Sequence, residues 1–155
     1  MVLYYFDSSA LVKRYISERG TAWVLGITDP GAGNIIFVAR ITAVEVVSAI
    51  TRAAWAGSIT SADAFSAKAN FRYDYLNQYR AMEITAGLIA RAMALAEQYA
   101  LRGYDAVQLA AAVEVQAYNL SVGLPVLTLI SADAALNTAT TAEGLAVDDP
   151  NNHPS

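Results

Sequence analysis

The sequence alternates short, mainly apolar runs with longer segments that repeat apolar residues every three or four positions. The runs at 2–6, 34–38 and 126–130 predict strands, and two shorter runs at 82–84 and 145–147 predict two more. Strands that are apolar at successive residues bury both of their faces, as the strands of parallel sheets do. We therefore predict an α/β fold, a three-layer sandwich with a central, mostly parallel sheet flanked by helices.

In the segments between these strands, apolar residues recur at the three- and four-residue spacing of helices. The apolar residues Ala43, Val46, Val47 and Ile50, for example, lie on one face of a predicted helix. Capping residues, glycines and prolines at the ends of the segments set their limits. The predicted helices span residues 8–18, 21–27, 42–56, 60–79, 85–101, 104–118 and 131–141.

The length and composition of the chain predict one domain that has a partner. At 155 residues the chain is long enough for a single core, and we predict that the domain covers residues 1–147. The polar, proline-containing tail at 148–155, which includes the one histidine, His153, is expected to be disordered. Hydrophobic residues make up 55% of the chain against 15% charged, so we expect a partner to cover part of the apolar surface.

Several classes of site and location are excluded by what the sequence lacks. It contains no cysteine, which rules out disulfides, thiolate zinc sites and cysteine nucleophiles. Charged residues interrupt every apolar run before it reaches the roughly 18 residues of a membrane span, and the first strand lacks the basic flank of a signal peptide. We therefore expect a cytoplasmic protein with no membrane contact. The net charge of −4 argues against a broad basic surface for nucleic acid.

Four acidic residues stand where the predicted elements bring them to one edge of the sheet. Asp7 follows the first strand, and Asp133 follows the last long strand. Glu45 lies early in the helix after the second strand, and Asp105 begins a later helix. Ligands of parallel sheets bind beyond the carboxyl ends of the strands. The sequence therefore predicts that these four side chains share a site at that edge.

Each acid also has a purely structural interpretation. Asp7 suits the N-cap of the helix that follows it, and Asp105 and Asp133 suit the positive ends of their helices. Glu45 is harder to explain in this way, because its neighbours are apolar and an unpaired carboxylate is costly to bury. Taken together, the four acids favour one functional site over four separate structural roles.

Clustered carboxylates favour a particular kind of chemistry. Like charges raise one another's pKa, so the group stays ionised near neutral pH only with a cation among its members. Carboxylate oxygens without cysteine or a usable histidine select Mg²⁺ or Mn²⁺. Such ions activate water for attack on a phosphodiester. They also reverse the local charge, which lets an acidic protein bind a phosphate backbone at this point.

The order and surroundings of these acids resemble the PIN domain, and in particular the VapC-like toxins of toxin–antitoxin pairs. The resemblance covers nearly the whole chain, from residue 2 to about residue 147. Its matching pieces are residues 6–15 (FDSSALVKRY), 42–50 (TAVEVVSAI), 101–111 (LRGYDAVQLAA) and 129–136 (LISADAAL). Together their order and spacing are specific.

This resemblance implies a divalent-metal-dependent endoribonuclease that hydrolyses RNA phosphodiesters by metal-activated water and leaves 5′-phosphate and 3′-hydroxyl ends. The four acids are then its catalytic and metal-binding residues. The resemblance also implies a homodimer and an antitoxin that binds the helical hairpin at 42–79. Ser9 and Ser131 match hydroxyl positions that the family places beside the acids, where they orient a carboxylate or a water. Plain helix capping is the alternative for both serines.

Four basic residues are candidates for phosphate contacts: Lys13, Arg14, Arg40 and Arg102. A solvated surface charge is the alternative interpretation of each. Many relatives in the family carry a basic residue just after the fourth acid, whereas alanine follows Asp133 here. This difference weakens the case for RNA contact on that side of the site.

Two other classes of protein fit parts of the pattern. A receiver-like phosphoacceptor domain also gathers acids at strand ends, but it needs adjacent acids after the first strand and a lysine after a late strand. Here Ser8 follows Asp7, and no lysine occurs beyond Lys68. A catalytically silent PIN-like binding module would keep the fold and use the hairpin groove for partners. Loss of one acid would favour such a module, and all four are present.

Overall fold

The computed structural model describes residues 1–154 and contains one five-stranded sheet. The strands are β1 (Leu3–Phe6), β2 (Ile35–Ala39), β3 (Arg80–Met82), β4 (Leu127–Ile130) and β5 (Ala146–Asp148). Their order across the sheet is β3-β2-β1-β4-β5, and every neighbouring pair is parallel. The carboxyl ends of β2, β1 and β4 therefore lie side by side at the middle of one sheet edge.

Seven α-helices cover the sheet within residues 1–154. They are α1 (Ser8–Leu11), α2 (Thr21–Thr28), α3 (Arg40–Trp55), α4 (Ser61–Asn77), α5 (Ala86–Tyr99), α6 (Gly103–Ser121) and α7 (Ala134–Ala142). Short 3₁₀ turns occur at Val12–Arg14, Pro30–Ala32 and Pro150–Asn152. None of the helices in these residues combines the length and the apolar character that crossing a membrane requires.

The sheet lies between two helical layers because its strands are apolar on both faces. Along β1, Leu3 and Tyr5 pack with residues of α5, α6 and α7 on one face. Phe6 packs with residues of α1 to α4 on the other face. The predicted fold class, a three-layer α/β sandwich around a parallel sheet, is confirmed.

The first helix is shorter than the prediction of 8–18. Helix α1 ends at Leu11, and a 3₁₀ turn follows it. At the end of that turn, Arg14 donates hydrogen bonds of 2.7 Å to the side-chain oxygen of Gln78 and of 2.7 Å to the Tyr79 hydroxyl. These bonds hold the chain against the end of α4, away from the path of a continuing helix. The limits of the other helices and strands differ from the predicted ones by three residues or fewer.

The C-terminal segment differs from the predicted disordered tail. Asp148 belongs to β5, and Pro150–Asn152 form a 3₁₀ turn. His153 stacks on Trp23 with ring centroids 4.1 Å apart, and its Nε2 atom lies 2.9 Å from Oδ1 of Asp148. An aromatic surface and a carboxylate partner thus hold a segment whose own composition is polar. Ser155 lies outside the described residues.

The packing of this segment on Gly20 has a testable consequence. Gly20 has a φ of +88°, and a Cβ atom on it would lie 2.3 Å from the carbonyl oxygen of Pro150. Gly33 has a φ of +72° but open space around it. Gly20→Ala should therefore lower the free energy of unfolding by about 1–3 kcal/mol more than Gly33→Ala, because only the first substitution adds a backbone clash to the strained φ. Urea denaturation of the two variants measures the difference, and equal losses would contradict the packing.

Candidate active site

The acids predicted to share a site stand at the carboxyl edge of the sheet. Asp7 directly follows β1 and is the N-cap of α1, and Asp133 is the N-cap of α7. Asp105 lies in the first turn of α6. Glu45 lies in the second turn of α3, because that helix begins at Arg40 instead of the predicted residue 42. The central place of β1 between β2 and β4 brings these helix ends to the same region.

Asp7 is buried and accepts three hydrogen bonds. Its Oδ1 atom accepts from the Ser9 hydroxyl at 2.7 Å and from the Ala10 backbone N–H at 3.1 Å, and its Oδ2 atom accepts from the Ser131 hydroxyl at 3.0 Å. Burial raises the pKa of Asp7 to about 7, although these three bonds favour the charged form, and the charge of Asp105 adds to the rise. Near neutral pH the Asp7 carboxyl is therefore balanced between its protonated and ionised forms.

The hydroxyls of Ser9 and Ser131 connect the ends of β1 and β4. Besides its bond to Asp7, the Ser131 hydroxyl accepts from the Asp133 backbone N–H at 3.0 Å. The Ser9 hydroxyl accepts from the Ala132 backbone N–H at 3.0 Å. Neither serine is a helix N-cap, since Asp7 and Asp133 occupy those positions. Both serines instead orient the Asp7 carboxyl and the loop that leads to Asp133.

Glu45 is oriented by a hydrogen-bond network that the sequence did not reveal. The Nε2 atom of buried Gln108 donates to Oε1 of Glu45 at 2.8 Å and to Oγ1 of Thr42 at 2.9 Å. The Oε1 atom of Gln108 accepts from the Tyr5 hydroxyl at 2.6 Å, and the Ser8 hydroxyl donates to Oε2 of Glu45 at 3.1 Å. An ionised carboxylate only accepts hydrogen bonds, so the nitrogen of the Gln108 amide is the atom that must face Glu45. The network joins β1, α3 and α6.

Asp105 is partly buried and feels the charges of the other acids. Burial raises its pKa, and the charges of Asp133 and Glu45 raise it further, while the charge of Arg102 lowers it. Asp133 accepts a hydrogen bond of 2.8 Å from the Leu136 backbone N–H and so does cap its helix. Asp133 is therefore both a helix cap and a member of the acidic site.

The four carboxylates share one sheet edge without forming a closed cage. Among residues 1–154, no three histidine, aspartate or glutamate side chains lie close enough together to hold a single ion as they stand. In the same residues, none of the four acids forms an ion pair with lysine, arginine or histidine. Their mutual repulsion is therefore only partly compensated, by the charge of Arg102 near Asp105 and by the hydrogen bonds to Asp7. An all-oxygen donor set and the raised pKa values of Asp7 and Asp105 fit a hard divalent cation.

Residues 4–139 match the family model of the PIN domain. The chain belongs to the PIN domain family. A curated relative of this PIN domain, ribonuclease VapC45 of Mycobacterium tuberculosis, is 33% identical to it over 147 residues, which are 95% of each chain. The matched residues include all four acids and both serines.

Two solved structures share the fold of this PIN domain. PAE2754 from Pyrobaculum aerophilum has a TM-score of 0.63 at 19% identity, over 98% of this chain and 92% of that one. A toxin–antitoxin complex from Klebsiella pneumoniae has a TM-score of 0.60 at 22% identity, over 97% of this chain and 98% of that one. Identities of this size establish the fold alone. The PIN fold accounts for the acids at the strand ends, so the alternative of a receiver-like domain is set aside.

Ion pairs inside the PIN domain engage three of the four basic residues predicted to contact phosphate. The pairs are Lys13 with Glu18 at 3.2 Å, Arg14 with Asp74 at 3.4 Å and Arg40 with Glu83 at 2.6 Å. Lys13 is also buried, which removes it from the surface that a substrate could reach. Arg102 is exposed and has no ion pair within residues 1–154. Of the four candidates, it is therefore the best placed for a phosphate.

A cavity of about 390 Å³ opens beside the acids. Its lining includes Ser8, Ser9, Glu45, Arg52 and Tyr104. Arg52 stands seven residues after Glu45, two helical turns along the same face of α3. That spacing is visible in the sequence, but nothing in the sequence shows that this face of the helix lines a cavity.

The raised pKa of Asp7 predicts how stability depends on pH without divalent ions. The folded protein holds this proton up to about pH 7, whereas the unfolded chain releases it near the ordinary value of 3.8. The contribution of Asp7 to the free energy of unfolding is therefore largest below about pH 4 and is lost as the pH rises to about 7, by up to about 4 kcal/mol. Asp7→Asn removes this dependence and keeps a good N-cap, so it should be more stable than the native protein at pH 8.

Urea denaturation in EDTA, at pH values from about 4 to about 8, measures this contribution. The matched control is Asp63→Asn, which changes an exposed aspartate in the first turn of α4. The control should follow the native curve. If Asp7→Asn were clearly less stable than the native protein at pH 8, the charged cap of α1 would be the dominant role of Asp7.

The network around Gln108 predicts an energetic coupling with Glu45. Gln108→Met has a similar volume but leaves Tyr5, Thr42 and Glu45 without their shared partner, so the free energy of unfolding should fall by about 2 kcal/mol. In a double-mutant cycle with Glu45→Ala, we expect a coupling energy of about 1–3 kcal/mol. Urea denaturation of the four proteins measures it, with the exposed Gln98→Met as the control. Additive losses would show that the bond to Glu45 contributes nothing.

Proposed function

We propose that this PIN domain is a divalent-cation-dependent endoribonuclease and the toxin of a toxin–antitoxin pair. The observation that carries the proposal is the gathering of Asp7, Glu45, Asp105 and Asp133 at one sheet edge, where none of them forms an ion pair with a basic side chain of residues 1–154. The similarity to a relative named ribonuclease VapC45 supports RNA as the substrate. A cytoplasmic location, where such a toxin meets cellular RNA, is part of the same proposal.

We assign the four acids to the binding of Mg²⁺ or Mn²⁺. Both ions prefer carboxylate oxygens, and the site contains no sulfur ligand that would select another metal. The chemistry that such an ion supplies when bound is Lewis-acid activation of a water and of a phosphodiester oxygen. The raised pKa of Asp7 means that cation and proton compete for this carboxyl, so binding should strengthen as the pH rises through about 7.

Other side chains of the site orient two of the acids, and one acid can accept a proton. Ser9 and Ser131 hold both oxygens of the Asp7 carboxyl, and Gln108 holds one oxygen of Glu45. These two acids are therefore preorganised before any ligand arrives. Asp105 combines partial exposure with a raised pKa, so its carboxylate suits the role of general base that takes a proton from the attacking water.

The α3–α4 hairpin, residues 42–79, is the proposed surface for a protein antitoxin. It carries apolar side chains that are unusually exposed: Trp55 at 89%, Leu76 at 80% and Phe65 at 75%. An amphipathic partner segment would cover such side chains and would lie near the sheet edge that carries the acids. A homodimer, implied by the family resemblance, is part of the same proposal.

A catalytically silent binding module is the second candidate function. Two observations favour it: Asp7 and Asp133 serve as helix caps, and no three acids among residues 1–154 are arranged to hold one ion. A silent module would bind RNA or an antitoxin but would leave the RNA intact.

Incubation with total RNA and with a defined structured RNA separates the two candidates. We expect cleavage by the native protein with Mn²⁺ or Mg²⁺ and none with EDTA. Asp7→Asn and Asp105→Asn should lose at least about a hundredfold in rate, whereas the exposed control Asp63→Asn should not. Mn²⁺ should also raise the melting temperature of the native protein more than that of Asp7→Asn. Intact RNA under every condition would reject the nuclease and favour the silent module.

A further inference from the structure

Tyr104 lines two cavities of different character. The cavity beside the acids, called the polar cavity because Glu45, Arg52 and three serines contribute to its lining, includes Tyr104. A second cavity of about 470 Å³ also includes Tyr104, together with Ile41, Ile84, Ile89, Gly103 and Val107. Because Tyr104 directly precedes Asp105, this second cavity adjoins the acidic edge of the sheet.

The second cavity suits a flat, uncharged ligand. Apart from the hydroxyl of Tyr104, no side chain in its lining has a polar atom. The Tyr104 side chain is 58% exposed, so its ring is accessible for stacking. A phosphate would find no cationic side chain here and only the Tyr104 hydroxyl as a side-chain donor, whereas a nucleobase offers a π-face to an aromatic ring and an apolar wall. The volume lies in the range of ordinary ligand sites and exceeds what one base requires.

The polar cavity offers what the sugar–phosphate backbone requires. Arg52 is exposed, lines this cavity and forms no ion pair within residues 1–154. It lies seven residues beyond Glu45, or about 10 Å along the axis of α3. At that separation, Arg52 can hold a phosphate that is near, but different from, the phosphate at the acids. The guanidinium is also the side chain best suited to a phosphate.

We propose that the apolar cavity receives one unpaired base of the RNA substrate, stacked on Tyr104, while Arg52 holds a phosphate of the same strand. This inference rests on the proposed ribonuclease function. A base inside a duplex cannot enter the cavity, so the substrate is single-stranded beside the cleaved bond. Apart from the Tyr104 hydroxyl, the side chains of the cavity wall have no hydrogen-bonding groups, so the cavity accepts an unpaired base with little discrimination between bases.

The test measures RNA binding without cleavage. All proteins carry Asp7→Asn, and the probes are a fluorescein-labelled single-stranded oligoribonucleotide with one 2-aminopurine and the same strand in a duplex. Fluorescence anisotropy reports the affinity, and quenching of the 2-aminopurine reports stacking. Tyr104→Ala should weaken binding of the single strand about tenfold or more and abolish the quenching, whereas Tyr104→Phe should keep both. Tyr118→Ala, an exposed tyrosine far along α6, is the control and should behave like the parent.

The role of Arg52 is tested by the dependence of affinity on salt. Arg52→Ala should weaken binding and reduce the slope of log affinity against log salt by about 0.7, the value for one phosphate contact on a single strand. Tyr104→Ala should leave that slope unchanged, because stacking releases no counterion. Arg80→Ala, at the start of the edge strand β3 and the opposite end of the sheet, is the control.

Three results would overturn the inference. The first is equal affinity for the single strand and the duplex. The second is an unchanged RNA affinity of Tyr104→Ala. The third is that Tyr104→Ala dissociates a dimer of the protein while the RNA affinity of each protomer stays the same. The last result would mean that a second copy of the chain covers the cavity. Failure of the proposed function is a separate outcome, because it is seen as intact RNA when the native protein is incubated with Mn²⁺.

Discussion

The buried carboxyl of Asp7 and the serine hydroxyls that hold it organise the whole functional edge. Ser9 comes from the helix after β1 and Ser131 from the loop after β4, and the bond from Ser131 to Asp7 ties the ends of these two neighbouring strands together. The same hydroxyls receive the backbone N–H groups of Ala132 and Asp133 and thereby set the start of α7. Burial of an acid is costly, and its raised pKa records that cost. A structure built for stability alone would have little use for it.

The other parts of the site depend on helices that begin at the same edge. Helix α3 carries Glu45 and Arg52 on one face, and α6 presents Asp105 and Gln108 one turn apart. Gln108 links the two helices to β1 through the Tyr5 hydroxyl, so the orientation of Glu45 follows from packing in the core. The acidic site and the neighbouring cavities are therefore one consequence of a parallel sheet whose central strand is β1.

The differences between prediction and structure have a common cause. The mainly apolar runs were sufficient to predict the parallel sheet, because apolar residues at successive positions indicate burial on both faces of a strand. The end of α1 and the packing of the C-terminal segment depend instead on partners far away in the chain, Gln78 and Tyr79 in one case and Trp23 in the other. Local periodicity carries no information about such partners. For the same reason, the ion pairs of Arg14 and Arg40 were not visible in their neighbourhoods.

The sequence by itself determined the fold class, the family resemblance and the placement of four acids after strands or at helix starts, because each depends on local pattern or on residue order. Only the tertiary structure decided how those acids are held: Asp7 between two serines, Glu45 on Gln108, and Asp133 on its own helix. It also decided that Arg52 and Tyr104 line the cavities beside the acids. These features depend on distances between residues that are remote in the chain, and packing in three dimensions alone sets those distances.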